Sequence, residues 1–165
     1  MQKGDLVVYG IHGVCRIVDV ENCRVDRKKV EYFVLVPQDQ PNAKFYIPTQ
    51  NPKAVAKIRR ILTKEEVEAL FQSADIKNHV WIEEENRRRE EYRRLIASAD
   101  CSAIIPMLQG LYLHKRQQLA AGRKFHMSDE NFMKDAERLI CSELACVLDI
   151  PKDKIGEYIR ARLEK

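Results

Sequence analysis

The hydrophobic period changes once along this 165-residue chain, near residue 62, and that change excludes most folds. Before it, apolar residues recur at every second position, the spacing of half-buried strands. After it they recur about every 3.6 residues, the spacing of amphipathic helices. Residues 6–9, 14–20, 30–36 and 44–47 read as strands, with 56–61 as a weaker fifth. His12-Gly13 supplies a turn that tolerates positive φ, residues 25–29 carry another turn, and Pro37 and Pro48 stop the strands they follow. Strands at this spacing predict a small antiparallel barrel or a strongly bent sheet over residues 1–62.

The helical grammar opens with Thr63-Lys64-Glu65-Glu66, a capping box in which a hydroxyl and a carboxylate three residues apart satisfy free helix N–H groups. The spacing predicts helices over residues 63–72, 78–97, 101–121, 128–148 and 151–163. The third is started by Asp100 or Ser98 and the fourth by Ser128, and Pro151 sits in the first turn of the last. Short connections favour an antiparallel bundle over residues 63–165. The fold class is therefore α+β, with strands first and helices after.

Composition narrows the function. With 45% apolar and 33% charged residues the chain reads as globular and water-soluble, and no apolar run approaches the roughly 18 residues that span a bilayer. The N-terminus has no apolar signal core, so a cytoplasmic protein with no membrane partner is expected. Five cysteines and four histidines are scattered without ligand spacing, which predicts buried thiols, no metal and no disulfides. Phosphate loops, dinucleotide fingerprints and hydrolase motifs are missing, so no enzyme, cofactor or small-molecule substrate is expected.

Charge points elsewhere. Residues 1–62 carry 11 Lys/Arg against 6 Asp/Glu, a net of +5, whereas the remainder nets −1. The densest cationic cluster follows the only tryptophan, Trp81, and comprises Arg87, Arg88, Arg89, Arg93 and Arg94. Guanidinium forks suit phosphates, and a flat indole suits a distorted base step. Trp81, Arg87, Arg88, Arg89 and Arg93 are therefore candidate DNA contacts, with Lys115, Arg116 and Lys124 in a second cluster beside Arg123. Glu83, Glu84, Glu90 and Glu91 compete for the same cations as helix-supporting pairs. On a helical wheel Trp81 falls with Glu84, Glu85 and Arg88, which predicts a partly exposed ring. In the strand half, Tyr46 with Val25 is the best candidate for a partner anchor.

The ordered set Gly4-Asp-Leu-Val-Val-Tyr9, His12-Gly13-Val14, Glu31-Tyr-Phe-Val-Leu35, Tyr46-Ile-Pro48, Trp81 and Leu95-Ile-Ala-Ser-Ala-Asp100 resembles the CarD/CdnL family of bacterial transcription regulators. The resemblance implies a Tudor/SH3-like barrel at residues 1–62, shared with transcription-repair coupling factors, that binds the RNA polymerase β subunit. It implies a helical domain at 63–165 that meets promoter DNA at the upstream bubble edge, with little sequence specificity, and stabilises the open complex. Polymerase contacts carried over by that resemblance are Cys23, Arg24, Val25, Tyr46 and Pro48. Cys23 and Tyr46 stand where the family often has arginine, and Arg24 points away from Cys23 in a strand. Trp81 lies about four residues upstream of the usual position, which Glu85 occupies. A monomer is expected. The competing expectation is a protein-interaction module that does not touch DNA, and a third is RNA binding by the basic N-terminal domain.

Overall fold

The computed structural model describes residues 1–79 and 81–163, and the chain divides into two compact units, Met1–Ile61 and Leu62–Lys165. The first unit holds strands β1 (Leu6–Tyr9), β2 (Val14–Val25), β3 (Lys28–Pro37) and β4 (Phe45–Pro48), a one-turn helix α1 (Pro52–Val55), and β5 (Ile58–Arg60). All pairings are antiparallel, in the order β4-β3-β2-β1-β5. The α+β reading therefore holds, but the expected barrel does not close. β4 and β5 stand at opposite ends of the ladder and do not pair, and β5 has only three residues with which to reach.

Alternation divides the sheet into two faces. Val7, Cys15, Ile17, Phe33, Leu35, Ile47 and Ile58 form the buried cluster on one of them. A register shift between Ile17 and Asp19 places Val18 as an extra residue in β2. Such a bulge bends a strand and strengthens its twist. Gly13 closes the first turn at φ 72°, and its carbonyl accepts from the Tyr9 amide at 2.9 Å. The β2–β3 turn is tighter than the sequence suggested. Only Asp26 and Arg27 lie between the strands, both left-handed at φ 51° and 65°, as a type I′ hairpin requires. Helix α1 was not expected from periodicity, being a single turn. Its signal was local: Asn51 caps the amides of Lys53 and Ala54, and Pro52 follows.

The second unit holds α2 (Lys64–Gln72), α3 (Glu85–Ser98), α4 (Cys101–Ala120), α5 (Met127–Leu148) and α6 (Lys152–Leu163). The Thr63–Glu66 capping box forms with both reciprocal bonds, at 3.1 and 2.9 Å. Asp100 caps α4 through the Ser102 amide. Helix α5 packs against α2, α3, α4 and α6, and so lies at the centre of the bundle. Its buried stripe includes Met133, Ala136, Leu139, Ile140, Leu144 and Val147, whereas Phe132 is only half-buried. Among the described residues no helix is long and apolar enough to cross a membrane.

The helix expected over 78–97 begins later, at Glu85. Glu84 is its N-cap, accepting from the amides of Asn86 and Arg87, so residues 81–84 are outside the helix. Val80, inside the expected span, lies outside the described residues. The helical-wheel placement of Trp81 consequently fails.

Candidate functional site

Two surfaces gather the singled-out residues, one in each unit. In the first unit the register decides which side chains share a face, because directly opposed residues point the same way. Cys23 opposes Val30, Val25 opposes Lys28, Tyr32 opposes Pro48 and Val34 opposes Tyr46. Cys23, Val25, Tyr46 and Pro48 are therefore brought together on one face, beside Val30 and Tyr32. Val25 is 45% exposed and Tyr46 is 51% exposed, both large for apolar side chains with no cover. Arg24, opposed to Lys29, lies on the other face and does not join them. β4 is an edge strand, so its outer amides and carbonyls face no sheet neighbour.

In the second unit the arrangement centres on Trp81 and differs from the simple Trp-plus-arginine pattern. The indole is half-buried, His114 of α4 stacks on it at 3.6 Å and 14°, and the Arg88 guanidinium lies 4.5 Å from its centroid. Arg88 is only 4% exposed. Its Nε and Nη2 donate to the two carboxylate oxygens of Asp129 at 3.0 Å each, and Nη1 donates to the carbonyls of Ile82 and Glu83. Arg88 is thus withdrawn from solvent in this structure. A desolvated guanidinium needs its donors filled, and the carboxylate and carbonyls fill them. The expected Arg88–phosphate contact is replaced by a structural ion pair.

Asp129 is fully buried in the first turn of α5, where a helix N-terminus also favours negative charge. Ser128, read as the start of that helix, is inside it instead. His126 is the N-cap, and the Ser128 hydroxyl has no hydrogen-bond partner among the described residues. Tyr92 packs edge-on against Phe132. Its burial, with Asp129 nearby, pushes the phenol up to about 12. Burial also lowers the His114 imidazole, in the same direction as the nearby Arg88 charge, while Asp129 and Glu83 oppose the shift. His114 is therefore favoured neutral as it stacks.

The remaining candidates divide into paired and unpaired groups. Arg89 bonds Glu85 at 2.6 Å, Arg94 bonds Glu91, and Lys115 bonds Glu130 at 3.0 Å. Arg87, Arg93, Arg116 and Lys124 are exposed, with no ion pair among the described residues. His114 and Asp129 were missed by sequence reasoning. Asp129 lies 41 residues from Arg88, and no local pattern joins them. An open groove with an apolar floor of Ile82, Leu95, Ala103, Pro106 and Met107 runs between α3 and α4, rimmed by Arg87, Glu90, Glu91 and Arg94. Among the described residues no group of three or more His, Cys, Asp or Glu side chains is placed to hold a metal.

An open antiparallel sheet with exposed apolar side chains at Val25 and Tyr46 and an edge strand has the features of a docking module. The sequence comparison makes the class specific: residues 1–62 match the family model of the CarD-like/TRCF RID domain. That domain class marks transcription-related proteins that interact with RNA polymerase. No curated protein matches the chain.

Proposed function

We propose that this chain is a non-enzymatic bacterial transcription regulator that binds the RNA polymerase β subunit through its N-terminal unit and promoter DNA through its helical unit. It would stabilise the open complex from the upstream edge of the bubble, in the cytoplasm where the polymerase works. The observation that carries this reading is the CarD-like/TRCF RID match over residues 1–62.

The physical roles follow from the placements above. Cys23, Val25, Tyr46 and Pro48 form the polymerase-facing surface, and the free β4 edge can be extended by a strand of the partner. Once tethered, the helical unit experiences a raised effective concentration of DNA. Arg87, Arg93, Arg116 and Lys124 supply phosphate attraction, which carries no base information and gives little sequence specificity. Trp81 presses on the minor groove with a ring already oriented by His114 and Arg88, so little side-chain freedom is lost on binding. Capture of purified β subunit by the full chain, together with the lifetime of open complexes in its presence, tests the two halves separately.

A second reading is favoured by one observation. The groove between α3 and α4 has an apolar floor and a rim of both charges. A helical unit that grips an amphipathic segment of another protein would use it, and would leave the salt dependence of duplex DNA binding flat.

A further inference from the structure

Among the described residues the far half of the β2–β3 hairpin has no third strand beside it. β1 pairs only with residues 14–16 of β2, and β4 reaches no further along β3 than Tyr32. Beyond the Thr49 amide, which donates to the Glu31 carbonyl at 3.0 Å, Cys23–Val25 and Lys28–Val30 form a two-stranded ribbon turned by Asp26 and Arg27. A bare two-stranded ribbon is marginal by itself, so its persistence and its chemistry both need a reason. Residues 22–29 are all exposed and include Arg24, Arg27, Lys28 and Lys29 against one acid, Asp26. This segment holds most of the N-terminal surplus of positive charge.

Register sorts the ribbon into two unlike faces. Cys23, Val25, Val30 and one cation, Lys28, lie on one, continuous with Tyr32, Tyr46 and Pro48. Arg24 and Lys29 lie directly opposite each other on the reverse, with Arg27 in the turn. Like charges opposed across a strand pair weaken the pair, so folding alone does not select this placement. The nearest acid on that face, Glu31, instead accepts from the Thr49 hydroxyl at 3.0 Å. Neither Arg24 nor Lys29 has an ion pair among the described residues.

We infer that the reverse face of the hairpin ribbon, through Arg24, Lys29 and Arg27, binds the phosphate backbone of duplex DNA, a contact separate from that of the helical unit. The face offers several cations and no aromatic or aliphatic anchor. Protein hot spots centre on well-packed, desolvated anchors, whereas exposed cations such as these suit phosphates, which need no packed pocket. A two-stranded ribbon also has the dimensions to lie in a major groove. Because the apolar face remains uncovered by this contact, the ribbon can hold protein on one side and nucleic acid on the other. The inference does not depend on polymerase binding.

The test compares the full chain, Arg24→Gln/Lys29→Gln and Arg87→Gln/Arg93→Gln for binding to a duplex oligonucleotide across a salt series, with β-subunit capture measured in parallel. The ribbon variant should lose about 1.8 from the log–log salt slope, about 0.9 for each phosphate contact. Its β-subunit capture and its far-UV spectrum should match the parent, and its thermal midpoint should not fall. An unchanged slope overturns the inference. An unchanged slope with lost β-subunit capture also overturns it, and assigns the cations to an acidic protein surface. The Arg87/Arg93 variant reports separately on the helical unit, so failure of that part of the proposed function is read independently.

Discussion

Arg88 and Asp129 form a two-point ion pair, with both nitrogen–oxygen distances at 3.0 Å and neither side chain more than 4% exposed. Removing one partner would leave a buried charge uncompensated. Asp129→Asn or Arg88→Ala should therefore cost about 3–5 kcal/mol of stability in urea unfolding. Arg89→Ala breaks a pair that is 37% and 45% exposed and should cost less than about 1 kcal/mol. Similar losses for the two would refute the structural role assigned to Arg88.

His114 gives the fold an acid sensitivity with a defined sign. Its imidazole is lowered by burial, so the native state binds a proton less readily than the unfolded chain. Stability should fall as pH drops below about 6.5, where the unfolded chain takes up the proton that the stack resists. His114→Phe keeps an aromatic ring against Trp81 and should remove this part of the pH profile. Thermal midpoints between pH 5 and 8, followed by Trp81 fluorescence, measure it directly. An identical profile in the variant would place the sensitivity elsewhere.

Trp81→Ala should leave β-subunit capture intact and abolish the effect on open-complex lifetime. Because the ring also packs on His114 and Arg88, folding must be checked by its unfolding midpoint. A folded variant with full activity would remove the wedge from the mechanism.

Tyr46→Ala should weaken β-subunit binding by roughly tenfold or more, as expected for a central exposed aromatic. Surface plasmon resonance with immobilised chain would show the change mainly in dissociation. Arg24→Gln, on the opposite face, should leave it within about twofold, corresponding to a few tenths of a kcal/mol.

Arg27 occupies a left-handed position at φ 65°. Arg27→Gly relieves the Cβ crowding there and should raise stability by about 1 kcal/mol, measured by urea unfolding. A loss of stability would mean that its side chain holds the turn.

What could be read from the sequence was local. The capping box at Thr63 to Glu66 requires only neighbours three residues apart, and it forms. Strand alternation placed Arg24 away from Cys23, which needs only the pleat. The path of Arg88 was not readable, because its partner lies on another helix and a run of arginines looks alike at every position. The start of α3 is not legible locally, because three successive glutamates resemble a helix interior and glutamate is a poor cue for a cap. Barrel closure is not legible for a different reason: periodicity counts strands but does not say whether the outermost two meet. The chemistry beside Trp81 depended on His114, 33 positions away in sequence and adjacent only once the helices pack.

Glu143, only 2% exposed on α5, accepts from the Leu62 amide at 3.1 Å across 81 positions of sequence, and from the Cys101 thiol at 3.2 Å. The first peptide of the helical unit is thereby stitched to its central rod. Excising the unit one or two residues late would strip a donor from a submerged carboxylate. The cut that frees the C-terminal half for study must therefore fall before Leu62, where the stitch survives.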